Sequence, residues 1–502
     1  MILICGASGL VGKEMCRLLD NKKIDYIGTY NTNRIEKPNM YQVDFSNPKI
    51  VEEFLVSYKI TCCIFSIVER LLDKCENNWN EIKKTNIDLV HITSYLCNKL
   101  NIKFIHLSTD YVFDGSRQPN FPDSLKNPLQ NYGISKLISE YRVLTNCKNY
   151  CIVRTPVLYS ELSKIHDNAV CLIGKNVMDV RKNKIFKEDN YSIRRPLYIE
   201  DLCKFIYDCL DEKYNGIYHF YNPNNKYTKY EICQKIGKLL DINTDNIIQN
   251  NTKSEGLAPR PYDTQLQDDK INILDYSFTN FDESIEKCFK KFKHPKINIQ
   301  NKNDIFVLID MDGTIIDSNI AHYNAYNKVF EKYNKIFLTT KQWNDIILND
   351  NIDNYLRTTF NENIFHIIKK EKQLKLLHQD ISFTKNSDKF IQFLIQNEIN
   401  FCMVTNTNKE TVNIFKEKLP LLNEIKQWIY RDDYKLSKPS SECYQLAIQK
   451  FHKNEKYIIG MEDSMVGYEA LKSLTDIIYI YDNEYIFKKE DCYLFDDFSL
   501  FL

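Results

Sequence analysis

Ile2-Leu3-Ile4-Cys5-Gly6-Ala7-Ser8-Gly9-Leu10-Val11-Gly12 decides how the first half of the chain is read. Four apolar residues predict a strand, three glycines spaced three apart predict a turn, and a helix-period segment, 12–19, follows. Glycines in that place let the chain turn tightly. They also bring backbone N–H groups up to a pyrophosphate at the positive end of the helix. Gly6, Ser8, Gly9, Leu10, Val11 and Gly12 are therefore the expected dinucleotide contacts. A glycine turn can also be merely structural; the strand before it and the helix after it argue for the ligand.

Outward from this stretch, apolar runs alternate with helix-period segments, the pattern of a parallel α/β sheet. Strands are expected at 2–5, 26–29, 62–65, 104–107 and 151–154, and helices at 12–19, 85–100 and 134–144. The polar, basic stretch at 290–303 holds a proline and reads as a linker. A second strand-first domain begins at Ile305–Ile309. The expected division is 1–290, a linker at 291–303, and 304–502.

The end of the second strand reports on the ribose. An acid there would bind the 2′-hydroxyl of NAD. The sequence is Thr29-Tyr-Asn-Thr-Asn-Arg34, with one Arg and no acid, which favours NADP through a pairing of Arg34 with the 2′-phosphate. Asp44 sits where such folds often contact adenine, and a structural turn Asp reads there nearly as well. Further on, Ser108-Thr109-Asp110-Tyr111 precedes Tyr132-Gly-Ile-Ser-Lys136. One helical turn puts Tyr132 and Lys136 on the same face. Lys136 can lower the phenol pKa and hold the nicotinamide ribose. Tyr132 can then protonate a carbonyl that Thr109 holds.

In the second domain, Asp310-Met-Asp312-Gly313-Thr314 follows a strand. Asp310 can attack phosphorus, and Asp312 can protonate the leaving alcohol and later activate water. Thr405, ending Val404-Thr405-Asn406, can bind a phosphoryl oxygen. Lys438, before Pro439, offers a fixed cation. Gly460-Met-Glu462-Asp463-Ser464 supplies carboxylates for Mg²⁺, and the expected metal set is Asp310, Asp312 and Asp463. Each piece alone is weak, but their order and their places at strand ends make them strong together.

Composition narrows the partners. Lys+Arg and Asp+Glu are equal at 67 each in 502 residues, so neither nucleic acid nor a membrane surface is favoured. The 16 cysteines are scattered and read as reduced, buried small residues. No run approaches the length of a spanning helix. The expectation is a soluble, cytoplasmic protein.

The Thr109–Lys136 constellation resembles the extended short-chain dehydrogenases/reductases, with a Rossmann-type α/β sheet. Leu107-Ser-Thr-Asp-Tyr-Val-Phe-Asp-Gly115 resembles dTDP-4-dehydrorhamnose reductases. Related dehydratases place Glu after Thr-Asp, where this chain has Tyr111. That implies reduction rather than dehydration, with Thr109, Asp110, Tyr111, Tyr132 and Lys136 as the catalytic set. Arg154-Thr-Pro-Val-Leu-Tyr159, Thr228-Lys-Tyr-Glu-Ile232 and Ala258-Pro-Arg-Pro261 are closer still to the regulatory beta subunits of methionine adenosyltransferase. One departure is the bulky Cys63-Ile-Phe-Ser-Ile-Val68, where reductases carry small residues beside the ribose.

The second motif set resembles the haloacid dehalogenase superfamily, and the insertion at about 318–386 resembles the helical cap of its beta-phosphoglucomutase-like branch. His322 falls where that branch often has a His near the site, and it reads equally well as a cap-helix residue. Together the resemblances imply NADP(H) and Mg²⁺ as cofactors, with nucleotide-sugar and sugar-phosphate substrates. Two assemblies stay open: a homodimer and, on the regulatory reading, docking on methionine adenosyltransferase.

Overall fold

The structure, a computed structural model, describes residues 1–161, 168–180, 185–253, 256–270, 275–293, 302–332, 338–340, 342–343, 352–360, 362–482, 487, 489 and 491–502. The chain divides into two compact units, Met1–Lys290 and Lys291–Leu502. Most of the expected linker, 294–301, lies outside the described residues.

The first unit is built on a seven-stranded parallel sheet. Its spatial order is Met40–Gln42, Tyr26–Tyr30, Ile2–Cys5, Cys62–Phe65, Lys103–Thr109, Tyr150–Thr155, Gly216–His219. Chain order reverses between Ile2–Cys5 and Cys62–Phe65, which opens a crevice at their C-terminal ends where dinucleotides bind in such sheets. Alternation along the strands feeds two cores. Ile4, Ile64, Ile105 and Val153 pack on one face under helices Leu10–Asn21 and Ile199–Asp208. Leu3, Cys5, Phe65, Phe104 and Ile152 pack on the other, under Pro48–Ser57, Leu89–Lys99 and Asn131–Asn146. A smaller lobe pairs the strands Phe186–Asp189 and Ile247–Asn250 and adds helices Ala169–Val180, Lys229–Leu240 and Phe281–Phe289.

The expected strands are present, several extended by one or two residues. The helix expected at 85–100 differs: it begins in a π-helical segment, Lys83–Asp88, before Leu89–Lys99. Periodicity alone does not reveal such a bulge, which often marks a functional position. All 16 cysteines are free and buried. Among the described residues no helix is long and apolar enough to cross a membrane.

The second unit has a six-stranded parallel sheet in the order Trp428–Ile429, Asn400–Val404, Ile305–Asp310, Tyr457–Glu462, Ile477–Tyr481, Tyr493–Phe495. The motif strand Ile305–Asp310 lies at its centre, so the three motif-bearing strand ends converge. The short antiparallel pair Ile316–Asp317 and Ser382–Phe383 brackets the cap. Its helices Asn319–Lys332, Ile352–Thr359 and Glu362–Leu376 carry a separate core that includes Tyr326, Phe330, Leu356 and Ile368.

Candidate active sites

The glycine turn has the shape of a cradle. Gly6 adopts φ +83°, and a Cβ on Gly12 would lie 2.2 Å from the Gly6 carbonyl oxygen, so the helix can approach the turn only without a side chain there. Gly9 caps the helix Leu10–Asn21, whose first turn carries no acid and includes Leu10 and Val11. These residues fit a dinucleotide diphosphate at the helix N-terminus. Ser8 is half-buried in the turn.

Arg34 is exposed in the loop after Tyr26–Tyr30. Asp44 is exposed too, but its carboxylate accepts from the Ser46 amide at 2.9 Å and the Ser46 hydroxyl at 2.7 Å. That is a turn-forming Asx arrangement, and it holds the carboxyl below its ordinary value. The bulky residues at 64 and 65 do not crowd the turn, because Ile64 and Phe65 are buried in the two opposite cores. The apolar side chain that meets Gly6 is Ile67, whose Cγ1 would lie 3.2 Å from a Cβ built there.

Thr109, Asp110 and Tyr111 stand where the strand Lys103–Thr109 ends, and Tyr132 and Lys136 face them from the first turns of Asn131–Asn146. The Gln130 side chain caps that helix by accepting from the Gly133 amide at 2.8 Å. Burial raises the Tyr132 phenol above its ordinary range, and the neighbouring Thr109 hydroxyl pulls the other way. Burial lowers the Lys136 ammonium to about 8, against the charge of Glu140 one turn on. Asp110 accepts from Thr109 Oγ1 at 3.1 Å and from Thr264 Oγ1, so it ties the strand end to the smaller lobe. Burial raises it to about 6. Tyr111 is half-buried, and its amide donates to Thr109 Oγ1 at 3.2 Å.

Two groups escaped the sequence reading. Asn86, in the π-helical segment, accepts from the Glu69 amide at 2.8 Å and donates to Ser135 at 3.0 Å, fixing the catalytic helix to the loop after Cys62–Phe65. Beneath the site, Arg154 makes a bidentate pair with Glu140 at 2.9 and 2.7 Å, with both side chains almost fully buried. Glu140 also accepts from Ser108, and His219 Nε2 lies 3.1 Å from Arg154 Nη1. Burial, and then the Arg154 charge, hold His219 neutral, near 3. An Arg inside a strand gives no sequence signal until its partner is known.

In the second unit Lys438 Nζ donates to Asp310 Oδ1 at 2.6 Å, to Glu462 Oε1 at 2.6 Å and to Tyr444 OH at 2.8 Å. Asp310 Oδ2 is buried with no hydrogen-bond partner. Burial, with the negative charge of neighbouring carboxylates, raises both Asp310 and Asp463 well above the usual range. Asp310, Glu462 and Asp463 each bring an oxygen within 4.8 Å of the others. An orphaned carboxylate oxygen among crowded acids is the donor set of a hard divalent cation. Asp310 and Asp463 would hold it, because Glu462 is already occupied by Lys438, Tyr444, Ser464 and the Asp463 amide.

Asp312 stands apart from this cluster and differs from the expected metal set. Its carboxylate accepts from Ser318 at 2.6 Å and from Thr405 and Thr407 at 2.8 Å, with His322 Nε2 at 3.7 Å. Burial opposes ionisation of Asp312, but these hydroxyls and His322 outweigh it and keep the group charged. The hydroxyls of Thr405 and Thr407 both turn to Asp312 Oδ2, so Thr405 lies beside the second carboxylate of the motif. His322 is kept neutral, near 4, by burial and by the nearby Lys372. Asp310 lies against the fixed Lys438 cation, the arrangement for a nucleophilic carboxylate beside an anion.

The geometry describes two enzyme-like units: a dinucleotide fold with a Tyr–Lys pair, and a second parallel α/β fold with a carboxylate–lysine centre. Residues 1–294 match the family model described as the RmlD substrate binding domain, and the chain belongs to that family. Residues 307–475 match the haloacid dehalogenase-like hydrolase model. The chain is 27% identical over 305 residues to methionine adenosyltransferase 2 subunit beta of Danio rerio, covering 59% of this chain and 92% of that protein. It is 30% identical over 161 residues to a probable low-salt glycan biosynthesis reductase of Haloferax volcanii, covering 31% of this chain and 53% of the reductase. The Bordetella bronchiseptica enzyme WbmH, solved in complex with NAD+, superimposes with TM-score 0.50 at 16% identity, over 58% of this chain and 99% of WbmH. That likeness reports the fold.

Proposed function

We propose that the unit at 1–290 is an NADPH-dependent reductase of a 4-keto-6-deoxy nucleotide sugar, and that the unit at 304–502 is a Mg²⁺-dependent phosphatase of a small phosphorylated metabolite. The observation that carries the first half is Tyr132 beside the Thr109 hydroxyl, with Lys136 one helical turn on, at the C-terminal sheet edge that also bears the glycine cradle. NADPH, when bound, supplies the hydride. Thr109 and Tyr132 hold the carbonyl oxygen, Tyr132 gives it a proton, and Lys136 compensates the phenolate that remains. Lys229 lies in the field of Arg194 and Arg260 in the smaller lobe, with Glu188 and Asp189 beside it, and Arg194 also acts on Asp110; these cations could meet a diphosphate.

In the second half, Asp310 attacks phosphorus and displaces the substrate's alcohol, which leaves with a proton from Asp312; the Asp312 carboxylate then takes a proton from the water that hydrolyses the aspartyl-phosphate, releasing phosphate and free Asp310. Mg²⁺ would neutralise the charge gathered at Asp310 and Asp463. Free thiols fit a cytoplasmic location. NADPH consumption with dTDP- and UDP-4-keto-6-deoxyglucose, beside phosphate release from a sugar-phosphate panel, tests both halves. Absence of turnover on both nucleotide sugars overturns the reductase assignment.

The resemblance to methionine adenosyltransferase beta subunits favours a second reading, in which the first unit binds NADP and docks on that enzyme. Co-purification with a methionine adenosyltransferase, without hydride transfer, selects it.

A further inference from the structure

Lys136 is buried, and the carboxylate nearest it in sequence on its helix face is already committed. Both oxygens of Glu140 accept from Arg154, and one also accepts from Ser108. The group within hydrogen-bond distance of Lys136 Nζ is instead an imidazole, His106 Nε2 at 3.3 Å. His106 is fully buried on the strand Lys103–Thr109, stacked on Phe104 with Phe65 beside it. Ser139 Oγ lies 2.9 Å from the same nitrogen and 2.7 Å from the Lys136 carbonyl oxygen, and its one proton can turn to the imidazole. His106 Nδ1 is buried without a partner.

We propose that His106 is the positioning residue of Lys136, holding the ammonium through a neutral Nε2 lone pair and leaving its other protons to a dinucleotide ribose. This rests on the reading of the first unit as a dinucleotide-binding domain. A protonated Nε2 would face the ammonium donor to donor, so a charged Lys136 selects the Nδ1–H tautomer. That places the remaining N–H at the unpartnered position among aromatic rings. Burial and the Lys136 charge both keep the imidazole neutral. A carboxylate in the same place would lock Lys136 in a buried ion pair. An apolar residue would leave the ammonium without this acceptor. A neutral acceptor holds the ammonium weakly enough to let it turn to a ligand.

The first test needs no ligand. In the full chain labelled with ¹⁵N-histidine, with the His106 signals assigned by their loss in His106→Gln, an unprotonated Nε2 is expected across pH 6–7.5, shifted in Lys136→Met. A protonated Nε2, or a spectrum unmoved by Lys136→Met, overturns the proposal. The second test is NADPH affinity. His106→Leu should bind about tenfold more weakly at pH 7, as expected for one lost charge-assisted hydrogen bond, and His106→Gln, which keeps an acceptor, should recover most of it. Equal affinity of His106→Leu and wild type contradicts the proposal. Failure of the wild type to bind NADPH removes the reductase reading, while the tautomer measurement still decides the role of His106.

Discussion

Lys438 Nζ reaches Asp310 Oδ1 at 2.6 Å and leaves Asp310 Oδ2 buried and unpartnered. One oxygen of the proposed nucleophile is neutralised by the protein, and the other has no partner beside Glu462 and Asp463, whose carboxylates lie close to Asp310. Removing the nucleophile with Asp310→Asn should abolish phosphate release, a loss of at least about a thousandfold, without unfolding the second unit. Phosphatase assay beside circular dichroism checks both parts.

Mg²⁺ should stabilise the second unit in a pH-dependent way. Asp310 and Asp463 have raised values in the folded state, mainly through burial. Folding therefore opposes their ionisation, and their contribution to stability falls as pH rises above the unfolded carboxylate range. Mg²⁺ competes with protons for the same oxygens. The increase in melting temperature on adding Mg²⁺ should be largest near pH 8 and shrink toward pH 5. At a hundred times Kd it corresponds to about 2.7 kcal/mol. A shift of equal size at both pH values contradicts the assignment.

Gly12→Ala tests the cradle. Its Cβ would sit 2.2 Å from the Gly6 oxygen, a backbone atom that cannot move aside as a side chain does. Overpacking of this kind costs about 1–3 kcal/mol, and the displaced helix end should bind NADPH at least about tenfold more weakly. Calorimetric titration and thermal melting measure the two effects together.

Arg34→Ala should separate the two dinucleotides. Loss of a guanidinium pairing with the 2′-phosphate should weaken NADPH by about tenfold or more and leave NADH unchanged. Equal loss for both would assign Arg34 a role other than 2′-phosphate recognition.

Arg154→Met leaves Glu140 buried without its bidentate partner. Breaking a buried pair in this way costs about 3–5 kcal/mol. Glu140 also touches Ser108 at the end of the catalytic strand, so the melting temperature and the reductase rate should fall together. An unchanged melting temperature rules out a structural contribution from the pair.

Binding of NADPH should also titrate with Lys136. Its ammonium is the binding form, present below about 8 and lost as pH rises through that value. Affinity measured from pH 6.5 to 9.5 should therefore decline through about 8, and the decline should vanish in Lys136→Met.

Local signals in the sequence carried most of the architecture. The strand–glycine–helix opening and Asp310-Met-Asp312 announce themselves, because their residue types are required by backbone approach and by charge at fixed spacing. The parallel pairing of the sheets follows from the alternation of strands and helices, but the strand order does not. What depends on distant partners was not legible. Asp312 carries the same residue type as Asp310, yet Thr405 and Thr407, more than ninety positions away, draw it away from the cluster of Asp310, Glu462 and Asp463. Arg154 looks like an anomaly in an apolar strand until Glu140 and His219 close around it. Asn86 lies in a π-bulge that helix periodicity passes over, and Asp44, set where adenine would be contacted, is drawn into its own turn by Ser46.

The most direct measurement of the central claim is deuterium transfer. The purified full chain is incubated with NADPH deuterated at the transferring position and dTDP-4-keto-6-deoxyglucose, and the sugar product is weighed. One deuterium on the sugar, lost in Tyr132→Phe, is the predicted result. Unchanged NADPH and unlabelled sugar with the wild-type chain would contradict a reductase of this substrate.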